Sequence, residues 1–149
     1  MKDKVFLDTN ILIYALTEPK AKNKEEDLRK RAISLKLLAK IFNEKDIIVS
    51  VQILNELHFN MIRKFKLDDE LVIKSMEENL FTIALVKDLT VETYTKASQI
   101  RKKYNISYWD SLVVASALES GCSTLYSEDM HNNLVIENSL TIINPFENI

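Results

Sequence analysis

The stretch Val5–Tyr14, VFLDTNILIY, joins two apolar segments through a carboxylate. Val5–Leu7 is a short continuous apolar run, the pattern of a strand buried on both faces. The apolar segment after Asn10 predicts a short helix over about Ile11–Leu16, ended by Pro19. Asp8 stands at the seam, where an aspartate can cap the helix, make an Asx-turn or serve a site.

The same alternation continues along the chain. Leu28, Ala32, Leu35, Leu38, Ala39 and Phe42 recur at three- and four-residue spacing and predict an amphipathic helix over about 25–43, facing the core. DIIVS (46–50) reads as a second strand. Ser50 caps a helix running to about Phe65, with Leu54, Leu57, Met61 and Phe65 on its core face. Asp68 or Asp69 caps another helix, to about Asn79. FTIALV (81–86) predicts a strand, and Thr90 a helix through about Lys103. A further helix starts at Ser107, runs through about Ser120 and is stopped by Gly121. STLYS (123–127) and LTIIN (140–144) read as late strands. Strands alternating with helices predict an α/β protein, a mainly parallel central sheet covered on both faces. Right-handed crossovers then bring every strand's carboxyl end to one edge, where ligands of open α/β sheets bind.

At 149 residues the expectation is a single domain, 1–149, long enough to bury about 68–70% of the surface its unfolded chain exposes. A hydrophobic content of 46% argues against disorder, and a net charge of −2 excludes a global basic field, so nucleic-acid contact would rest on local patches. The single cysteine excludes an internal disulfide, and two histidines make a histidine-rich zinc site improbable; a hard cation on oxygen ligands stays open. Neither a signal peptide nor an apolar run long enough for a membrane is visible, so a cytoplasmic location is expected.

Two acids fall on the predicted carboxyl edge: Asp8 after the first strand and Asp129 just beyond TLYS. Asp110, in ISYWDSLVVASALESG, shares a helix face with Val113, Val114 and Ala117, so its carboxylate should turn inward. A buried ionised carboxylate is costly unless paired or metal-bound. The alternative is a capping box with Ser107. Glu56 projects by periodicity with Gln52 and Arg63, away from the core, so spacing alone makes it a solvated residue.

FLDTN, VQILNEL and YWDSLVVASALESGCSTLYSEDM together resemble the PIN-domain nucleases, and among them the VapC-like toxins of prokaryotic toxin–antitoxin pairs. The resemblance runs from Val5 to about Pro145. It implies a three-layer α/β/α sandwich and an acidic cluster at Asp8, Glu56, Asp110 and Asp129, supported by Thr9, Asn10 and Ser127. It implies Mg²⁺ or Mn²⁺ on those carboxylates and hydrolysis of RNA to 5′-phosphate and 3′-hydroxyl ends. A protein antitoxin and a homodimer are expected as partners. Two other readings keep the fold: a non-catalytic interaction domain, and an RNA-processing nuclease without an antitoxin.

The basic runs Lys20–Lys24, Arg29–Arg31, Arg63–Lys66 and Arg101–Lys103 fit either solvated helix faces or phosphate contacts. Tyr14, Tyr108 and Trp109 are candidates for stacking an unpaired base, though core packing is the commoner fate of such rings. His58 reads as a core or edge histidine, His131 as a surface-loop residue and Cys122 as a small buried hydrophobe.

Overall fold

The computed structural model describes residues 2–147. The expected domain also takes in Met1, Asn148 and Ile149, which lie outside the described residues. β1 (Lys4–Leu7) is followed directly by α1 (Thr9–Leu16), because Asp8 ends the strand and caps the helix with its own side chain. A 3₁₀ turn, Ala21–Asn23, lies within the polar loop that leads into α2 (Lys24–Glu44). Then come β2 (Asp46–Ser50), α3 (Val51–Arg63) and α4 (Asp69–Asn79). β3 (Ala84–Lys87), α5 (Val91–Tyr104) and α6 (Tyr108–Glu119) follow. The chain closes with β4 (Thr124–Tyr126), β5 (Val135–Ile136) and β6 (Leu140–Ile143).

The strands form a six-stranded sheet in the order β3-β2-β1-β4-β6-β5. Every neighbouring pair is parallel except β5 with β6. From β1 the chain builds outward through β2 to β3, then returns to the other side of β1 with β4. The switch in direction therefore falls between β1 and β4, and a crevice opens there at the carboxyl edge. Helices α1 to α4 pack in series on one face, while α5 and α6 pack on each other on the opposite face. The expected three-layer α/β/α sandwich is the architecture observed. Phe6, Leu7, Val49, Leu125 and Ile142 fill its centre, fully buried.

Capping chemistry explains most boundaries. Ser50, Asp68 and Ser107 each accept a backbone N–H of the following first turn, and Thr90 with Thr93 forms a reciprocal box. Gly121, at φ +75°, closes α6: its N–H donates to Leu118 O and that of Cys122 to Ala117 O, both at 3.0 Å, the paired bonds of a Schellman motif. Space around the missing Cβ is open, so the positive φ alone requires glycine there.

The structure differs from the sequence reading at three points. The third strand is Ala84–Lys87, not 81–86, because the residues after α4 turn back on it, Ile83 N and Ala84 N both donating to Leu80 O at 3.0 Å. The hairpin of β5 and β6 carries no Asn-Gly or Asp-Gly signal. Glu137 and Asn138 take its two positive-φ positions (52° and 57°), and Ser139 N closes the turn on Ile136 O at 3.1 Å. Third, α2 buries a different stripe from the one expected. Ser34 and Ile41 are buried with Ile33, Leu37 and Leu38 packed alongside, while Leu28, Leu35 and Phe42 stay exposed.

Candidate active site

Asp8 is only 6% exposed, and both of its carboxylate oxygens are engaged. Oδ1 accepts the Thr9 N–H at 2.8 Å, and Oδ2 accepts the hydroxyl of the fully buried Ser127, also at 2.8 Å. The backbone N–H of Asp8 donates to Tyr126 O at 3.0 Å, which ties the ends of β1 and β4 together at the switch point. Asp8 is therefore both helix cap and site residue. Burial raises its pKa to about 6, with repulsion from Glu56 and Asp110 adding to the rise and the two hydrogen bonds opposing it.

The other acids reach the same place from separate elements. Glu56, on α3, accepts the Thr9 hydroxyl on Oε2 at 2.6 Å and the Gln52 amide on Oε1 at 2.9 Å. It is half-buried, which corrects the solvated position that periodicity predicted. The side of α3 that carries Gln52 and Glu56 faces α6 instead of water: Gln52 is 7% exposed and donates to Trp109 O at 3.2 Å. Asp110 sits in the first turn of α6, where its backbone N–H donates to Ser107 Oγ at 3.2 Å. The backbone half of the capping box is thus present while its carboxylate lines the cleft. Asp129 accepts the Asn10 amide at 2.9 Å, and burial first, then Glu128 and Asp110, raises its pKa.

Asp8, Glu56, Asp110 and Asp129 all line one cleft of about 250 Å³, with Thr9, Asn10 and Gln52 between them. Among the described residues, none of these carboxylates has a lysine, arginine or histidine within ion-pair distance. Nor do three Asp, Glu, His or Cys side chains already meet closely enough to enclose an ion as they stand; the acids line the walls instead of meeting at a point. The donor set nevertheless fits a hard divalent cation: all oxygen, gathered in one cleft, and with carboxylates that, among the described residues, form no ion pair.

Glu128 is the candidate site residue that sequence reasoning missed. It accepts the Tyr14 hydroxyl at 2.8 Å and the Asn10 amide at 3.4 Å, and forms an ion pair with the Lys30 ammonium. Asn10 thus bridges Glu128 and Asp129. Burial, followed by Glu128, pushes the Tyr14 hydroxyl up to about 12, so it remains a donor. The only signal in the sequence was adjacency to Asp129, since Lys30 comes from α2 and Tyr14 from α1. One of the basic runs, Arg29–Arg31, is structural in part. Arg31 donates to the carbonyls of Tyr14, Ala15 and Thr17 at the end of α1, and Arg29 pairs with Glu26. Lys20, Lys22 and Lys64, by contrast, line a groove of about 490 Å³ that shares Asn10 with the acidic cleft. His58 bonds Asp69 at 2.7 Å, His131 is exposed and Cys122 is buried, its thiol pushed up to about 12 by that burial.

A parallel α/β sandwich with an acidic crevice at its switch point defines the class. The family model described as "PIN domain" matches residues 5–133, and the chain belongs to the PIN domain family. Solved structures share the fold. A toxin–antitoxin complex from Klebsiella pneumoniae aligns over 96% of this chain and 98% of its own, with a TM-score of 0.65 at 15% identity. VapBC2 from Rickettsia felis, bound to a DNA fragment from its promoter, aligns over 95% and 99%, with a TM-score of 0.64 at 19% identity. VapC20 from Mycobacterium tuberculosis, a toxin that cleaves the sarcin–ricin loop, aligns over 84% and 89%, with a TM-score of 0.60 at 15% identity. No curated protein matches the chain significantly in sequence. Among the described residues, no helix is long and apolar enough to cross a membrane.

Proposed function

We propose that this protein is a Mg²⁺- or Mn²⁺-dependent ribonuclease and the toxin of a toxin–antitoxin pair. One observation carries the reading: acids from the β1 end, α3, α6 and the β4 end face one cleft with, among the described residues, no cationic side chain paired to them. The likeness to toxins and toxin–antitoxin complexes supports a protein antitoxin as partner, and a homodimer is part of the same reading.

Asp8, Asp110 and Asp129 would hold the cation, with Glu56 beside them. A bound divalent ion would supply charge neutralisation and polarisation of the phosphodiester. The chain's own residues do the rest. Ser127 and Thr9 N–H fix the Asp8 carboxylate, and Asn10, braced by Glu128, fixes Asp129. Thr9 and Gln52 hold Glu56 in the orientation from which it positions the attacking water. The water oxygen bonds to phosphorus, giving up a proton to solvent, and the P–O3′ bond breaks. The 3′ oxygen takes up a proton, leaving 5′-phosphate and 3′-hydroxyl ends. Lys20, Lys22 and Lys64 supply phosphate contacts along the neighbouring groove.

Sequencing of RNA ends tests this directly. Wild-type protein with Mg²⁺ or Mn²⁺ should generate new 5′-phosphate ends that vanish with EDTA and with Asp110→Asn. Equal cleavage by Asp110→Asn would refute the assignment. Absence of any cleavage by the wild type would favour an inert domain that keeps the fold.

A further inference from the structure

Two aromatic rings on the wall of the acidic cleft take no part in the chemistry proposed above. Trp109 is 64% exposed and Phe59 58% exposed, yet both line the cleft that holds the carboxylates. Phe59 lies one turn beyond Glu56 on α3, and Trp109 immediately precedes Asp110 on α6. Rings of this size left in water expose apolar area that stacking would cover. Their elements are also held in place. Gln52 donates to both Glu56 Oε1 (2.9 Å) and Trp109 O (3.2 Å), and the Tyr108 ring packs edge-on against Trp109 with centroids 5.0 Å apart.

Each aromatic group carries a guanidinium. Arg63 lies 5.7 Å from the Phe59 ring centroid, and Arg101 5.1 Å from that of Tyr108. Stacking surface combined with cations is the chemistry that grips single-stranded nucleic acid, because bases supply π-faces and phosphates supply charge. Tyr14 does not belong to the group: it packs edge-on against Phe146 at 5.3 Å and donates to Glu128.

Resting on the ribonuclease reading, we infer that Trp109 and Phe59 form a platform for an unpaired base beside the scissile phosphate. A base inside an A-form duplex has no free face to offer, so the platform confines cleavage to loops, bulges and ends.

Trp109 is the single tryptophan, so its emission reports on the platform alone. The full chain carrying Asp110→Asn, which leaves RNA intact, is titrated with an unstructured oligoribonucleotide and with a duplex of the same composition. Saturable quenching by the single strand and none by the duplex is expected. In kinetics, Trp109→Ala and Phe59→Ala should each raise KM for the single strand about tenfold, with kcat changed less and Trp109→Phe restoring most of the loss. Melting curves would confirm that the variants are folded. Unchanged KM in both alanine variants, with wild-type cleavage intact, would overturn the platform and leave the ribonuclease reading standing. Wild-type protein that cuts no RNA would sink that reading, and the platform with it. Trp109 shielded from acrylamide in RNA-free protein as concentration rises would assign the rings to contact between copies and also overturn the inference.

Discussion

Replacing Asp8 by asparagine is expected to abolish RNA cleavage, by on the order of 10³-fold or more, while making the cation-free protein more stable. On the proposed reading, the loss follows from removing a ligand of a cation that would supply several kcal/mol of transition-state stabilisation, at one decade per ~1.4 kcal/mol. The gain follows from Asp8's surroundings. Its carboxylate is buried, opposed by Glu56 and Asp110, and has no cationic partner among the described residues. Asparagine keeps an oxygen for the Thr9 N–H, and the Ser127 hydroxyl can rotate to accept from the new amide, so the cap of α1 survives while the charge goes. In EDTA at pH 8 the variant should melt about 5 °C higher than the wild type. A purely structural Asp8, serving only as cap, would instead lose stability on substitution and leave activity untouched.

The second large effect is a pH dependence of stability in the absence of divalent ions. The folded-state pKa of Asp8 is raised from 3.8 to about 6, so the native chain holds this proton more tightly than the unfolded chain does. Its contribution to stability is therefore greatest below about pH 4 and is lost as the pH climbs through about 6, a difference of about 3 kcal/mol. Asp129 shifts in the same direction and adds to the decline. Urea unfolding in EDTA should show stability falling between about pH 4.5 and pH 7 in the wild type, with the fall much reduced in Asp8→Asn. Stability that rises across that interval would mean that the cleft carboxylates are compensated by partners.

Much of this site could be read before any coordinates, because its anchors are local. Asp8 directly follows a strand, Asp129 follows another within a few residues, and Asp110 sits three residues after its cap. Where reading failed, the cause was tertiary. Glu56 projects from the polar side of α3, but the start of α6 lies across that side and turns it into a cleft wall. Leu28, Leu35 and Phe42 satisfy helical spacing, but the core meets α2 one step around the helix, on Ile33, Ser34, Leu37 and Ile41. Glu128 needed Lys30, which comes from 98 residues away. The last hairpin hid because Glu137 and Asn138 take the backbone conformation that glycine usually supplies. Glu137 is braced there by Lys96 at 2.8 Å and, through its N–H, by the Tyr104 hydroxyl at 2.8 Å.

Calorimetric titration with Mn²⁺ at pH 7.5 is the most direct measurement, since everything above depends on separated acids acting as one cation site. The wild-type protein should bind saturably at millimolar concentration or below, and Asp8→Asn, Asp110→Asn and Asp129→Asn should each weaken binding about tenfold or more. Absence of binding to the wild type, or equal affinity in all four proteins, would contradict a shared site.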